Sequence, residues 1–246
     1  WTNDSSTCFP PGTALAASWN PNLAYERGLV LGEEARYRKK DVLLGPGINI
    51  IRTPLCGRNF EYLSEDPFLI SAIAVPYIKA LQSKDVAASV KHYLANNQED
   101  HRTSVDVTMS ERALREIYLP GFKAAVTEGG SYTVMAAYNK FRGDWCSENE
   151  YLDREILRKE LGFNGVLMSD WGGTHSTVKA ALAGLDLEMG TDTKDYNEWY
   201  FANPLIKAVQ EGKVPMSLID EKVANVLRVM MKTKVIDSKN REKGSM

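Results

Sequence analysis

The sequence predicts an α/β fold: a parallel, TIM-barrel-like (β/α)8 domain of which the chain carries an incomplete set of units. Three observations point there. Short apolar runs at 86–93, 132–138 and 165–168 read as strands covered on both faces, since unbroken hydrophobicity is what a sheet buried on both sides requires. Helical patterns separate these runs, which is the mark of βαβ units and a parallel sheet. The length of 246 residues suits one barrel domain of roughly 250 residues. About five strands are visible, so the barrel is expected to be incomplete or to lack its first segment. The domain is expected over 1–212, with 213–246 forming the last helix and the start of a linker.

In chain order, residues 1–19 are rich in Ser, Thr, Pro and Ala and read as an extended or looped lead-in. Asn20-Pro21 starts a helix to about Arg38, with Pro at the first position, where its missing N–H costs nothing. Asp41–Leu44 is a short strand closed by Gly45-Pro46-Gly47. The long loop 45–66 carries Arg52, Arg58, Asn59, Glu61, Glu65 and Asp66, and loops of that length are usually functional. Asp66-Pro67 opens the next helix, to about Ser83. The strand 86–93 ends in Lys91-His92, and Ser110 caps a helix that Pro120 interrupts. A strand at 132–138, a helix at 149–161 with Gly162 as its stop, and the strand ending at Asp170 follow. A helix at 175–183, a strand at 186–189 and helices at 196–211 and 217–233, the last with Ser217 as cap, complete the pattern.

A net charge of −2 with well-mixed signs gives no reason to expect nucleic acid, which needs a clustered basic face. No apolar run approaches the ~20 residues of a membrane helix. The three cysteines, Cys8, Cys56 and Cys146, match no zinc spacing. They read as free buried thiols, which favours a cytoplasmic over a periplasmic or secreted setting. The chain does not begin with Met, so the natural start is expected to lie upstream. Homo-oligomerisation is left open.

In parallel α/β folds the groups that act on a ligand stand where the strands end. Those ends offer Arg58, Lys91, His92, Tyr138, Asp170, Trp171 and Glu188. One carboxylate, several hydrogen-bond donors and an indole suit a neutral, hydroxyl-rich ligand, and no glycine-rich loop points to phosphate. A sugar fits: its apolar face stacks on Trp and its hydroxyls take donors from Arg and Lys. Each residue has a plainer reading. Asp170 could cap a turn, Arg58 could pair with Glu61 or Glu65, and Tyr138 could be core. His92 could be structural, and Glu188 an ion-pair partner. His175 sits on a loop-to-helix turn. Lys91 could be the Schiff-base lysine of an aldolase-like barrel, and a non-catalytic sugar-binding barrel is a further class.

Several motifs in order resemble glycoside hydrolase family 3, and its β-glucosidases in particular, from about residue 7 to 233. They are Thr7-Cys8-Phe9-Pro10-Pro11-Gly12, Gly45-Pro46-Gly47-Ile48-Asn49, Cys56-Gly57-Arg58-Asn59-Phe60-Glu61, Ser64-Glu65-Asp66-Pro67, Lys91-His92 and Ser169-Asp170-Trp171. The resemblance implies a retaining exo-acting hydrolase of terminal β-D-glucosyl residues, acting on β-glucosides such as cellobiose. Asp170 stands at the position of the nucleophile. Arg58, Lys91 and His92 match the donors that grip the sugar. Met135 and Tyr138 match residues beside the nucleophile, and Trp171 the aromatic that flanks the sugar. Asp170-Trp171 looks like the family's glucosidases more than its β-xylosidases. Tyr93–Asn97 departs from the glycine- and histidine-rich run of its β-N-acetylglucosaminidases.

Two departures go with the resemblance. No Asp-Gly-Pro motif precedes Thr7, and no second α/β sandwich domain follows, the domain that in most members supplies the acid/base. The acid/base is therefore expected outside this chain, the second domain is the expected protein partner, and the chain alone is not expected to be fully active. The chemistry calls for no metal or organic cofactor. Arg58 and Lys91 are expected to help keep Asp170 ionised.

Overall fold

The structure, a computed structural model, describes residues 6–190, 193–241 and 243–245. Residues 1–5 of the expected lead-in lie outside the described residues. Seven strands are numbered in chain order: β1 Val42–Leu43, β2 Ala87–Tyr93, β3 Asp106–Val107, β4 Thr133–Ala136, β5 Lys140–Phe141, β6 Asp144–Trp145 and β7 Val166–Met168. Four of them form a parallel sheet in the order β1-β2-β4-β7. Neighbours in this sheet are successive strand–helix units of the chain, as in the wall of a barrel. The predicted strand 186–189 contracts to one parallel bridge, Leu187 to Met168. There the Leu167 N–H donates to the Asp186 carboxylate at 2.7 Å. The second sheet, β3-β5-β6, was not foreseen; its two-residue strands are too short to carry a period.

Both faces of the parallel sheet are covered, which is why its strands read as unbroken apolar runs. Ala88, Val90, Val134, Ala136 and Leu167 share the main core with Ile70, Ile73, Ile78, Leu81 and Phe122 from the helices. Ala87, Met135, Val166 and Met168 cluster on the other face with Val226 and Val229.

The helix starts follow the local chemistry. Helix α1 (Gly12–Ala17) lies in the stretch expected to be a loop. No side chain caps it, and a Cβ on Gly12 would stand 2.4 Å from the Glu61 carbonyl oxygen. Docking therefore forms this helix, a tertiary effect that local sequence does not announce. Helix α2 (Pro21–Tyr37) is capped by Asn20, whose Oδ1 accepts from Asn22 N–H at 3.0 Å. Helix α3 (Pro67–Gln82) is capped by Asp66, which accepts from Phe68 N–H at 2.9 Å. The two helices cross at Gly28, where a Cβ would sit 2.5 Å from the Tyr77 carbonyl oxygen. Ser110 caps α4 (Glu111–Ala113), which widens into a π-type turn over Leu114–Tyr118 before α5 (Pro120–Thr127). Pro120 has no N–H to give, so the break falls where it was expected.

Helix Tyr151–Glu160 is followed by Gly162 at φ +66°, the left-handed stop read from the sequence. Helices α6 (Val178–Ala183), α7 (Asn203–Gln210) and α8 (Met216–Lys232) follow, and a short 3-10 turn at Ser238–Asn240 comes last. Ser217 does not cap α8; Pro215 stands at that position without a side-chain bond, and Ser217 lies inside the first turn. The cysteines are free as expected, but Cys8 is exposed, and only Cys56 and Cys146 are buried. Among the described residues no helix is long and apolar enough to cross a membrane.

Asp153 is fully buried, and neither carboxylate oxygen has a hydrogen-bond partner. Burial holds its carboxyl well above the ordinary range, against the pull of Arg158 and Arg154. A folded-state value raised in this way gives stability that is complete below the unfolded value of about 3.9 and is lost as pH rises toward the folded value. Each unit of elevation carries about 1.4 kcal/mol. Asp153→Asn, which mimics the protonated acid, is expected to raise the melting temperature little near pH 4 and progressively more toward pH 8. Paired thermal melts across that range check it.

Candidate active site

The site residues come from consecutive units of the sheet. Lys91 and His92 lie within β2 rather than after it, because the ladder continues past them. Lys91 N–H donates to Pro46 O at 3.1 Å, and Ile48 N–H to Lys91 O at 2.8 Å. Asn49 then fixes His92 by two bonds, its Oδ1 accepting from His92 N–H at 2.8 Å and its Nδ2 donating to His92 O at 2.9 Å. Asp170 follows β7, and its Oδ1 accepts from the Trp171 N–H at 2.8 Å. Across the sheet, His92 Nε2 faces Asp170 Oδ2 at 3.6 Å, while its Nδ1 lies 3.2 Å from the Tyr62 hydroxyl.

Arg58 and Lys91 share one partner, Glu61. Arg58 NH2 is 2.6 Å from Glu61 Oε2, and Lys91 Nζ is 2.7 Å from Oε1. The plainer reading of Arg58 as a partner of Glu61 thus coexists with its place beside Asp170. The Lys91 ion pair bears on the aldolase reading, since a Schiff-base lysine must be neutral to attack. Tyr138 is half-buried, donates its hydroxyl to Trp171 O at 2.8 Å, and lies under the Arg102 guanidinium, 4.6 Å from its ring centre. Trp171 is 38% exposed and rests against Gly190, where a Cβ would come within 2.0 Å of the indole. Met135 is buried with Met168 and Val166. Glu188 turns away to accept the Phe201 N–H at 2.7 Å. His175 stacks on Trp145 at 4.0 Å between ring centres. Among the described residues no cluster of three or more His, Cys, Asp or Glu could hold a metal.

The electrostatics follow from burial. Burial raises the Asp170 carboxyl above the ordinary range, opposed by the Trp171 amide, the Tyr138 hydroxyl, Arg58 and Lys91. The two cations act in the expected direction, but burial outweighs them. Burial, and then the charges of Arg58, Lys91 and Arg102, hold His92 well below its usual value, so the ring facing Asp170 is neutral near pH 7. Burial pushes Glu61 upward, yet its ion pairs with Lys91 and Arg58 leave it lowered and ionised. Burial also raises Tyr138 to about 12, keeping its hydroxyl a donor. Together these groups offer an anionic oxygen, a wall of donors and an apolar ring.

The sequence reading passed over Tyr62 and Asn49, which hold His92, and weighed Glu61 only as a partner of Arg58. The spacing of Arg58 and Glu61 was visible; the reach of Glu61 to Lys91 needs the fold.

Comparison with known proteins places the chain in a family. The family described as the glycosyl hydrolase family 3 N terminal domain matches residues 2–229. A β-glucosidase of Bacteroides ovatus, BoGH3A, is 53% identical over 241 residues, covering 95% of this chain and 32% of that protein. An exo-α-(1→6)-L-arabinopyranosidase of Bifidobacterium breve is 41% identical over 229 residues, covering 93% of this chain and 29% of that protein. The solved structure of β-glucosidase 3B from Thermotoga neapolitana in complex with glucose superposes with a TM-score of 0.89 at 43% identity. That match covers 99% of this chain and 35% of the other. The chain therefore spans about a third of the length of these relatives. Sequence and fold agree over nearly its whole extent, and the chain belongs to glycosyl hydrolase family 3, whose TIM-barrel-like N terminal domain it carries.

Proposed function

We propose that this chain is the nucleophile-bearing part of a retaining, exo-acting β-glucosidase that releases terminal non-reducing β-D-glucosyl residues from β-glucosides and cello-oligosaccharides. The observation that carries this reading is Asp170: a buried carboxylate just past the end of β7, with Arg58, Lys91 and His92 beside it and the Trp171 indole next in the chain. In this reading Asp170 attacks the anomeric carbon as the bond to the leaving oxygen breaks, giving a covalent glycosyl-enzyme. A second carboxyl, about 5–5.5 Å away, protonates that oxygen and later takes a proton from the attacking water. That acid/base, and the α/β domain expected to bring it, belong to the remainder of the protein. Arg58, Lys91 and His92 hold sugar hydroxyls, most tightly in the transition state. Tyr138 steadies the turn at Trp171, whose indole covers the apolar sugar face, and Met135 forms the floor.

The test is a 2-deoxy-2-fluoro-β-glucoside with a dinitrophenolate leaving group, which departs without a proton donor. Intact mass and peptide mapping should show one glycosyl adduct on Asp170. No adduct on this chain or on the full-length protein would overturn the reading. The Bifidobacterium breve relative supports a second reading, an α-L-arabinopyranosidase using the same nucleophile. A higher kcat/KM on an aryl α-L-arabinopyranoside than on the β-glucoside would select it.

A further inference from the structure

Two cations that stand near a buried carboxylate would ordinarily pair with it. Arg58 and Lys91 both act on Asp170 electrostatically. Yet among the described residues the basic side chain that lies within 4 Å of Asp170 is His92, whose ring is neutral near pH 7, and both cations are taken by Glu61. A direct bridge would bind the lone pairs that a nucleophile has to offer. We propose that Glu61 is a positioning residue whose carboxylate, gripping Arg58 with one oxygen and Lys91 with the other, holds the two cations side by side toward a hydroxyl-bearing ligand and off Asp170. This rests on the role given to Asp170 above.

The surroundings make Glu61 a rigid holder. Its N–H donates to Arg58 O at 3.0 Å, closing the turn that presents both side chains. Asn59 ties that turn to the preceding loop by donating its Nδ2 to Thr53 O at 2.7 Å. The Glu61 carbonyl is seated under Gly12, and a Cβ on Gly47 would stand 3.3 Å from Glu61 Cγ. The three charged heads are largely buried, with side-chain exposures of 20% for Arg58, 23% for Glu61 and 13% for Lys91. Their mutual geometry is therefore little screened by water. Net charge supports the same role: Glu61 reduces two positive charges to one where a neutral sugar would bind.

The test uses the full-length protein labelled with [4-13C]aspartate, with the Asp170 signal assigned through Asp170→Asn. The groups around Asp170 are His92 and Lys91 of β2, Arg58 and Glu61 of the loop after β1, Tyr138 after β4, and Arg102 over the Tyr138 ring with its partner Glu99. Glu61→Gln releases both cations, so the titration of Asp170 should move down by about one unit or more, and KM for an aryl β-glucoside should rise about tenfold. Glu61→Asp keeps the charge on an arm too short to span both cations. With one cation still held, it should move the titration down by less than Glu61→Gln does while KM stays raised, a split that a merely structural role would not produce. Glu61→Asp also serves if Glu61→Gln fails to fold, because a partial downward shift together with a raised KM is then the expected result. An unchanged titration in a folded Glu61→Gln, equal shifts in the Gln and Asp variants, or an unchanged KM in Glu61→Asp would each overturn the proposal. The NMR measurement needs no turnover. A wild type that forms no fluoroglucosyl adduct therefore refutes the glucosidase reading and leaves this measurement to decide the role of Glu61.

Discussion

Asp170→Asn is expected to lower kcat/KM for aryl β-glucosides by a factor on the order of 10⁴ or more, the scale of losing a covalent nucleophile. The amide is nearly isosteric and can still accept the Trp171 N–H that Oδ1 holds at 2.8 Å, so the fold should stand. Stability gives a control with a definite sign. Burial raises the Asp170 carboxyl in the folded state, so ionisation at neutral pH works against folding, and a neutral amide removes that cost. The Asn variant should therefore melt at or above the wild-type temperature at pH 7, and lost activity could not be blamed on unfolding. A smaller variant, Asp170→Ala, leaves room for an external nucleophile. With azide and the dinitrophenyl β-glucoside it should yield the α-glucosyl azide, since one displacement inverts what two would retain. Product stereochemistry by NMR checks it; a β-glucosyl azide, or Asn activity within tenfold of the wild type, would remove Asp170 from the nucleophile role.

Lys91→Met ranks second, with an expected loss of about 3 kcal/mol, on the order of 10²-fold in kcat/KM. Two losses add here. On the proposed role, a charge-assisted donor to a sugar hydroxyl is removed, and Glu61 keeps Arg58 at 2.6 Å but loses its second cation. Methionine preserves most of the aliphatic stem, so packing changes little. Because hydroxyl contacts tighten as the sugar ring flattens, part of the loss should fall on kcat rather than on KM alone. Steady-state kinetics on one aryl glucoside, with the fluoroglucoside adduct still forming slowly on Asp170, would be the outcome. Complete loss of turnover with a borohydride-trappable substrate adduct on the wild-type Lys91 would point to imine chemistry instead.

Much of the fold was legible because its signals are local. Asn20-Pro21, Asp66-Pro67 and Ser110 each carry a cap in their own side chain, and the three buried runs announce themselves by composition. What escaped depends on contacts far along the chain. Helix α1 exists because Gly12 fits beneath residue 61, and β3, β5 and β6 are two-residue strands held by each other. Ser217 had the chemistry of a cap, but Pro215 stands at the cap position two residues earlier. Around the candidate site, the strand-end rule singled out Arg58, Lys91, His92, Tyr138, Asp170 and Trp171, which the fold gathers near Asp170. It could not find Tyr62 or Asn49, whose role is to hold His92 through hydrogen bonds spanning 30 and 43 residues. It also sent Glu188 toward the rim, where a backbone amide of the following loop claims it.

The order β1-β2-β4-β7 also sets a timetable. Helices α2, α3 and α4 can start from the caps in their own sequence, and neighbouring strands pair once the helix between them has turned the chain back. Arg58, Lys91, Tyr138 and Asp170, however, come from four successive windings, so no shorter stretch than 58–170 brings them together. Contacts of such long sequence separation are the slowest to close. During refolding, far-UV ellipticity should therefore recover ahead of the competence to form the glycosyl adduct, and quenching samples at intervals with the fluoroglucoside would time the gap. The site then behaves as a completion signal for the chain, silent until the last winding is in place.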